Sequence, residues 1–433
     1  MGAMIANERP ALADSLWTAT ANPSPDRPAL TGKAEADTVV IGGGFTGLSA
    51  ALHLAEAGQS VILVEAETPG WGASGRNGGQ VNPALKPNPD DLVVKFGDDL
   101  GRRMVKRWGD GGPLVFDLIA KHGIDADALP VGFLRVATSE KTLAGLKTIA
   151  SQWREHGADY DELTPEEVTR LVGTDAYIGG VIDRRGGNIH PLNYALGLAD
   201  AAERAGATLY AKSPATGFAS DGTEVTVTTA QGEVKARRAL ICTNAYTGDL
   251  AKPLGKTVVP VTSVQVATAP LSDNIARSIL PEGHAPTDTR RLIFYFRKTA
   301  DGRFVMGGRG AMGEGSTRVR QQALRDAAVG LYPQLGDADW NHAWGGNVAM
   351  TANSLPGLHM LAPNVMAGLG FNGRGVANAT VMGTILADWA SGTPLEALDF
   401  PVTEARPIPF HAFRNIGLGA TMTALRLMDR FRL

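Results

Sequence analysis

The sequence predicts an α/β fold in which a parallel sheet with flanking helices is combined with a second, mainly antiparallel sheet. Three observations point to this fold. A strand, a glycine-rich turn and a helix follow one another near residue 40, two further glycine-rich runs lie near residues 75 and 370, and short strands bounded by turn residues lie between them. Such spaced glycine-rich turns are typical of a fold that wraps around an extended phosphate-bearing ligand.

The first unit begins with residues 38–41 (TVVI), which predict a buried strand because all four are β-branched. The run GGGFTG at 42–47 follows at once and fits G-x-G-x-x-G. Residues 48–57 are rich in Ala and Leu and predict a helix, and residues 61–64 (VILV) predict a second buried strand that ends at Glu65. Together these elements predict a Rossmann-like dinucleotide-binding β-α-β unit.

Each glycine of the turn has a predicted role. Gly42 allows the tight turn, Gly44 lets the backbone approach a pyrophosphate, and Gly47 lets the helix pack close to the sheet. The helix N-terminus, at Phe45 and Thr46, offers free N–H groups to the phosphates. Glu65 is placed to accept a hydrogen bond from a ribose hydroxyl, and its carboxylate disfavours a phosphate at that position.

The second glycine-rich run is GWGASGRNGGQ at residues 70–80. It directly follows the strand that carries the acid, and its glycines permit the backbone to approach a flat ligand closely. The candidate cofactor contacts of this region are Ala66, Gly72, Ala73, Ser74, Arg76, Asn77, Gly78 and Gly79.

The run GASGRNGG at residues 72–79 resembles the flavin-binding loop of the D-amino-acid oxidase superfamily, and more narrowly that of the γ-glutamylputrescine oxidase branch. The resemblance spans almost the whole chain and implies FAD as the cofactor. It also implies a glutathione-reductase-type FAD-binding domain and a discontinuous substrate domain. Some relatives attach FAD covalently through His in the first glycine loop or Cys shortly before the last. Neither residue stands at those places here, so we expect non-covalent FAD.

The third run, AGLGFNGRGV at residues 367–376, lies between a short predicted strand at 365–367 and an apolar helix at 376–391. A helix N-terminus near a flavin stabilises the negative charge that the reduced ring system gathers. This chain has Asn372 and Arg374 where Ser and His are commoner in the superfamily. The further candidate cofactor contacts are Gly370, Asn372, Gly373, Arg374, Gly375 and Val376, with Thr243 and Asn244 at the end of the strand predicted near 239–245.

Between these runs, residues 91–119 predict two helices that meet near 109–113, residues 208–210 predict a short strand, and residues 224–229 and 233–236 predict a hairpin. Ser139, and Thr164 with Glu167 three residues later, predict the starts of two further helices.

The domain organisation follows from these units and the resemblance. We predict an N-terminal arm at 1–36 and a discontinuous FAD-binding domain made of 37–95, 187–255 and 345–393. The substrate domain takes 96–186 and 256–344, and a tail with a helix from Arg414 takes 394–433. That helix ends in arginines and is expected to dock on the chain itself or on a second subunit, which leaves a homodimer possible.

Composition bounds the remaining classes of function. The net charge of −3 argues against a nucleic-acid partner, and Cys242, as the single cysteine, excludes a disulfide within the chain. No signal peptide and no apolar stretch of about 18 residues occurs, so we expect a cytoplasmic protein without a membrane partner.

Tyr295, Gln80 and Arg297 are the candidate catalytic residues. Tyr295 lies in a predicted strand that roofs the flavin, where its hydroxyl could contact substrate or where its ring could be core. Arg297, like Arg309, could hold a carboxylate bidentately or lie on the surface. Gln80 belongs to the glycine-rich loop and is therefore placed near the flavin by the motif.

The implied reaction is hydride transfer from a C–H beside an amine nitrogen to flavin N5, followed by hydrolysis of the imine. The expected substrate is a γ-glutamylputrescine-like or related amine. A D-amino-acid or N-alkylglycine oxidoreductase is the second possibility, and a flavin-binding module without turnover is a third. Relatives that use Lys to activate oxygen carry it near the place of residues 304–306, where this chain has none. The electron acceptor, oxygen or a carrier, therefore stays open.

Overall fold

The computed structural model describes residues 11–309 and 314–413 of the chain. Within them the α-helices are α1 (Leu16–Ala19), α2 (Phe45–Glu56), α3 (Pro89–Phe96), α4 (Asp98–Gly109), α5 (Gly111–His122), α6 (Glu140–Glu155), α7 (Pro165–Val172), α8 (Pro191–Arg204), α9 (Lys252–Gly255), α10 (Asp273–Ser278), α11 (Glu314–Leu331) and α12 (Gly375–Ala390). The strands are β1 (Gly32–Ile41), β2 (Val61–Val64), β3 (Gln80–Val81), β4 (Phe133–Val136), β5 (Tyr160–Leu163), β6 (Gly180–Asp183), β7 (Gly187–Asn188), β8 (Thr208–Tyr210), β9 (Ala215–Ser220), β10 (Val225–Thr229), β11 (Gly232–Ile241), β12 (Val259–Ala267), β13 (Thr287–Asp288), β14 (Phe294–Lys298), β15 (Phe304–Arg309), β16 (His342–Met350), β17 (Gly357–Ala362), β18 (Val365–Leu369) and β19 (Val402–Thr403).

The first sheet has the order β19-β17-β18-β11-β1-β2-β8, with β10 and β9 added beside β11. Its centre is parallel, since β1 pairs in parallel with both β11 and β2. Strand β2 is buried at every residue, as expected for a parallel strand that is covered on both faces. Helices α2, α8 and α12 cover one face of this sheet and form a large apolar core with it. On the other face, β10 and apolar residues of the segment 251–258 form a second, smaller core.

The second sheet has the order β16-β12-β15-β14-β13-β4-β6-β5. All its neighbours are antiparallel except β13 and β4. One face packs against α7 and α11 around Phe296, Phe304 and Tyr332. The opposite face and the strand ends of the first sheet line one cavity, and β3 and β7 form a separate short antiparallel ladder. The predicted combination of a Rossmann-like sheet with a mainly antiparallel one is confirmed.

Local sequence signals correctly predicted the positions of several helix starts and strands. Thr164 caps α7 and bonds reciprocally with Glu167, whose carboxylate accepts from the Thr164 amide at 2.8 Å. Ser139 caps α6, and residues 61–64 and 208–210 are strands as predicted. Reciprocal caps and short apolar runs are local features, so the sequence alone shows them.

Other boundaries were wrong. The first strand starts at Gly32 rather than at 38, because Gly32–Ala36 pairs with the start of β11. The predicted second hairpin strand and the predicted strand near 239–245 are one continuous strand, β11. Two helices predicted over 91–119 are three, because Gly97 adopts a positive φ of 81° and ends α3. The predicted tail helix from 414 lies outside the described residues.

The division into domains stays a prediction. Strand β16 pairs with β12 in the second sheet over its whole length, from Ala267–His342 to Val259–Met350, and so runs through the predicted boundary between 344 and 345. In the residues that the structure describes, none of the helices combines the length and the apolar character that a bilayer crossing requires.

Candidate active site

A cavity of about 770 Å³ lies between the two sheets. Its floor is formed where β1, β2 and β11 end, at Ile41, Val64 and Cys242. In open α/β sheets this edge, beyond the carboxyl ends of the strands, is where ligands bind. The roof is formed by the inner face of β12, β13, β14 and β4.

The first glycine turn brings the chain to this floor. Gly42 has a φ of +109°, and a Cβ there would lie 3.0 Å from the carbonyl oxygen of Cys242. Gly42, Gly44, Phe45 and Thr46 line the cavity. Gly47 does not; it lies behind the turn, where a Cβ would come within 2.0 Å of the Gly42 carbonyl oxygen. The predicted close packing of helix and turn is what this position provides.

Glu65 stands at the end of β2 and lines the cavity. Its carboxylate accepts from the Gly43 amide and, at 2.9 Å, from the Glu67 amide. Burial raises the pKa of Glu65, while these backbone hydrogen bonds act in the opposite direction. Ala66 also lines the cavity, so the acid and the turn form one continuous edge.

The loop at 70–80 crosses the floor and is held mainly by contacts to backbone. Ser74 Oγ accepts from the Phe45 amide at 3.0 Å, which joins the loop to the start of α2. Asn77 donates to the Ser74 carbonyl at 2.7 Å and accepts from the Gly79 amide at 2.8 Å. The cavity-lining residues of the loop include Gly72, Ala73, Ser74, Arg76, Asn77, Gly78 and Gln80.

Gly79 is the exception in this loop, because it does not line the cavity. It has a φ of +74°, and a Cβ there would lie 2.1 Å from the Ile189 carbonyl oxygen. Its role is to let the loop pass under the start of α8.

The third glycine run completes the floor from the other side. Asn372 has a φ of +54°, a conformation that Asn tolerates better than most residues, which explains why Asn can stand here. Asn244 accepts from the Gly370 amide at 2.9 Å, and so connects this run to the end of β11. Asn372, Gly373, Arg374, Gly375 and Val376 line the cavity with Thr243 and Asn244, whereas Gly370 does not.

Arg374 reaches from this run beneath residues 83–85. Its guanidinium donates to the carbonyl oxygen of Leu85 at 2.7 Å and to those of Pro83 and Ala84 at longer distances. Burial and the neighbouring Arg135 lower the pKa of Arg374 to about 10. Arg374 therefore ties the third run to the segment that follows the loop.

Two helices begin at this cavity without a side-chain cap. The cap residues are Gly44 for α2 and Arg374 for α12, and neither helix has an acidic residue in its first turn. Apart from the Phe45 amide, which donates to Ser74 Oγ, the first N–H groups of such helices are free and carry a partial positive charge, which suits phosphate and carbonyl oxygens. With the glycine cradle between them, the residues present fit a pyrophosphate-bearing flavin cofactor.

The roof presents side chains instead of backbone. The Tyr295 hydroxyl lies 2.9 Å from Ser263 Oγ, and a Cβ on Gly78 would lie 2.8 Å from the Tyr295 ring. Gln80 donates to the Ala285 carbonyl at 2.7 Å and to Thr287 Oγ1 at 3.1 Å. Two of the three predicted catalytic residues, Tyr295 and Gln80, therefore meet at the cavity.

Arg297, the third, does not line the cavity. Its guanidinium donates to the Ile189 carbonyl oxygen and lies 5.5 Å from the centre of the Trp17 ring. Although Arg297 is on the same strand as Tyr295, it lies behind the glycine loop next to Gly79. This placement favours a structural role over a contact with substrate.

Several cavity residues were missed by sequence reasoning. These residues are Lys86, Arg135, Tyr246, Gln265 and Thr287. Arg309, predicted beside Arg297 as a residue that could hold a carboxylate, also lines the cavity. The signal at Arg135 is a charged residue within the otherwise apolar strand FLRV. Lys86 and Tyr246 lie in irregular segments without a motif, so only the fold places them.

Cys242 is buried at the end of β11, and burial raises the pKa of its thiol. A thiol that stays protonated is a poor nucleophile. Within the described residues no cluster of His, Cys, Asp or Glu side chains that could hold a metal ion is found.

Comparison with known proteins agrees with this geometry. Residues 37–389 match the family described as FAD dependent oxidoreductase (DAO). The chain is 33% identical over 422 residues to a gamma-glutamylputrescine oxidoreductase of Escherichia coli (strain K12), covering 95% of this chain and 97% of the relative. It is 33% identical to a probable oxidoreductase OrdL of Rhizobium meliloti (strain 1021), covering 96% and 97%.

Among solved structures, glycine oxidase from Geobacillus kaustophilus superposes with a TM-score of 0.69 at 22% identity, covering 84% of this chain and 96% of that one. At that identity the likeness shows the fold. The family match and the full-length relatives show more: the chain belongs to the DAO family of FAD-dependent oxidoreductases, and it is an enzyme of that family.

Proposed function

We propose that the chain holds FAD non-covalently in this cavity and oxidises the C–N bond of an elongated amine of the γ-glutamylputrescine type. The observation that carries the proposal is the pairing of the two walls. A glycine cradle with two uncapped helix N-termini faces a roof of polar side chains across one continuous cavity. A cofactor would occupy the floor and leave the roof to the substrate.

The residues that would hold FAD are those of the three glycine runs. The start of α2 with Gly42 and Gly44 would take the pyrophosphate, and Glu65 would face the adenosine ribose. The loop with Ser74, Asn77 and Gly78 would lie along the ring system, and the start of α12 would face its pyrimidine carbonyl. When bound, the flavin supplies the hydride acceptor for the C–H beside the amine nitrogen.

The roof residues would bind and orient the amine. Burial raises the pKa of Tyr295 to about 12, so that its hydroxyl stays protonated at neutral pH and acts as a hydrogen-bonding group rather than a base. Gln80, from the floor loop, donates from its amide to Ala285 and Thr287 and so lies against the same wall. The amine would therefore react in its deprotonated form, and water would hydrolyse the imine to an aldehyde and ammonia.

The substrate class is supported by the full-length relative. The E. coli protein named gamma-glutamylputrescine oxidoreductase aligns over 97% of its length, so its floor and its roof both have counterparts in this chain. The electron acceptor would be oxygen or an electron carrier. A cytoplasmic location and a homodimer stay predictions.

The test is anaerobic absorbance of the purified yellow protein in the oxidised-flavin bands. γ-Glutamylputrescine, putrescine, sarcosine and D-alanine are titrated in parallel, and air is then admitted. We expect γ-glutamylputrescine to bleach the flavin at the lowest concentration. Reoxidation by air with release of peroxide would identify an oxidase, and persistent bleaching a dehydrogenase. Preference for sarcosine or D-alanine would contradict the proposed substrate class.

A further inference from the structure

One row of residues crosses the roof from strand to strand. Arg135 in β4 pairs with Thr287 in β13, Thr287 pairs with Tyr295 in β14, and Tyr295 pairs with Gly307 in β15. Gln265 in β12 ends the row opposite Gly307. Directly paired residues have side chains on the same face of a sheet, and Arg135, Thr287, Tyr295 and Gln265 all line the cavity.

The floor loop meets this row at one end. Gln265 donates to the carbonyl oxygen of Arg76, and the Tyr295 ring packs over Gly78. The ring of Tyr295 lies over Gly307, because a Cβ added to Gly307 would be 2.2 Å from that ring. Gly307 and Arg135 lie on opposite sides of Tyr295 in the row, so the Tyr295 side chain points away from Arg135. The Tyr295 end of the row is therefore next to the flavin loop. Arg135 lies two strands farther, which is about 10 Å at the usual strand spacing.

Arg135 has no counter-charge among the residues that the structure describes. None of them forms an ion pair or a side-chain hydrogen bond with its guanidinium. Another cation, Arg374, is close enough for Arg135 to lower its pKa. Burial lowers the pKa of Arg135 itself, and Tyr160 acts in the opposite direction. The two other arginines near this end, Arg185 and Arg290, are paired with Asp183 and Asp288.

Further positively charged side chains lie at this end of the cavity. Lys86 lines the same space, and burial together with Arg309 and Arg374 lowers the pKa of Lys86 to about 8. Asp288 is the acid of this wall, and it is already paired with Arg290. A partly buried guanidinium costs free energy unless something negative pairs with it. An anionic ligand group is therefore the missing partner.

We propose that Arg135 binds a carboxylate at the end of the substrate remote from the reacting amine. This inference rests on the proposed function and deepens it. A γ-glutamyl diamine carries its carboxylate about nine bonds from the carbon that is oxidised, which spans about 10 Å when extended. That length matches the separation of Arg135 from Tyr295. An α-amino acid has its carboxylate on the reacting carbon and could not reach both places at once.

The test compares two substrates in the flavin-loaded enzyme. γ-Glutamylputrescine carries the remote carboxylate, and N-acetylputrescine has the same amide and amine without it. The dissociation constant of each is read from anaerobic flavin absorbance. In Arg135→Gln we expect the constant for γ-glutamylputrescine to rise about 10- to 100-fold, as for the loss of a charge-assisted hydrogen bond. Binding of N-acetylputrescine is expected to stay unchanged.

A matched control is Arg184→Gln. It removes an exposed guanidinium that follows β6, outside the cavity, and should alter neither constant. Arg135→Lys keeps a positive charge and is expected to recover part of the affinity. Because Arg135 has no ion-pair or hydrogen-bond partner in the described part of the chain, we expect Arg135→Gln to melt at or above the temperature of the wild type.

Three results would overturn the inference: an unchanged constant for γ-glutamylputrescine in Arg135→Gln, an equal loss for both substrates, or a lower melting temperature with loss of flavin. Failure of the proposed function is distinguishable. In that case γ-glutamylputrescine would not bleach the wild-type flavin at all, whereas failure of this inference alone would leave the wild-type bleaching intact.

Discussion

The floor and the roof of the cavity are built in different ways. On the floor, polar side chains such as Ser74, Asn77 and Asn372 bond to backbone groups of the floor itself. What faces the cavity there is largely backbone, exposed by glycines and by two helix starts. On the roof, Tyr295 and Arg135 extend from regular strands and present their own functional groups.

This difference explains what each wall can recognise. Backbone amides at helix N-termini bind phosphate and carbonyl oxygens in any member of a family, because they depend on chain geometry. Single side chains on a sheet face can be substituted without disturbing the backbone hydrogen bonds between the strands. The floor is therefore suited to a constant cofactor and the roof to a substrate that differs between relatives.

The N-terminal arm joins the two walls. Trp17 in α1 is buried and donates to the Asn77 carbonyl of the floor loop at 2.8 Å. The same ring contacts Trp344 of the roof strand β16, with ring centres 5.9 Å apart, and His190 at the start of α8, with ring centres 5.0 Å apart. The arm thus acts as a strap that fixes the loop against the roof.

The largest expected effect is the complete loss of flavin caused by a change on the floor. In Gly47→Ala the new Cβ would lie 2.0 Å from the Gly42 carbonyl oxygen, so α2 must move away from the turn. We expect a loss of about 3 kcal/mol or more in unfolding free energy and purification without flavin. The measurements are urea unfolding and the absorbance ratio of flavin to protein.

The matched control is Gly145→Ala in α6, where a Cβ would meet nothing within 4 Å. Because Ala is the better helix former, this variant should be more stable by about 0.5–1 kcal/mol and keep its flavin. A yellow Gly47→Ala protein of wild-type stability would refute the view that backbone geometry specifies the floor.

The second prediction concerns Trp17, which connects the floor loop to the second sheet. Trp17→Ala removes a fully buried indole and is expected to cost about 3–5 kcal/mol of stability, with faster release of flavin. Trp17→Phe keeps most of the packing and loses the hydrogen bond to Asn77, for about 1 kcal/mol. Stopped-flow dilution of the holoenzyme would measure the release. If both variants held flavin as the wild type does, the strap would not support the loop.

The smallest expected effect is a pH dependence at the same junction. Burial and the nearby Arg297 lower the pKa of His190 from 6.5 to about 4. His190 Nδ1 accepts from the Asn193 amide at 3.1 Å, so protonation there would replace an acceptor by a donor. Between about pH 6.5 and 4 the unfolded chain binds a proton that the folded protein does not. Acidification through this window should therefore destabilise the fold, by up to about 3 kcal/mol.

His190→Asn separates this contribution from that of the carboxylates. Asn retains a capping oxygen for α8 but does not titrate. Urea unfolding of both proteins at pH 7 and pH 5 gives the comparison. The wild type should lose more stability than the variant on acidification, and an equal loss in both would show that His190 does not contribute.

The sequence by itself determined the floor. Gly42, Gly44 and Glu65 stand at spacings that only the strand–turn–helix–strand order explains, and the runs at 70–80 and 367–376 lie where the chain returns to the same sheet. Helix caps such as Thr164 with Glu167 could be predicted for the same reason. In each case the pattern itself occupies a short stretch of the chain, so it is visible in the sequence even where the stretches meet only in the folded protein.

Only the tertiary structure decided the roof. Tyr295 and Arg297 are two residues apart on one strand, yet one lines the cavity and the other is covered by the floor loop and the arm. Arg135 enters the site because β4 pairs in parallel with β13, more than 150 positions away. Strand pairing over such separations depends on the packing of the whole chain, and no short pattern in the sequence encodes it.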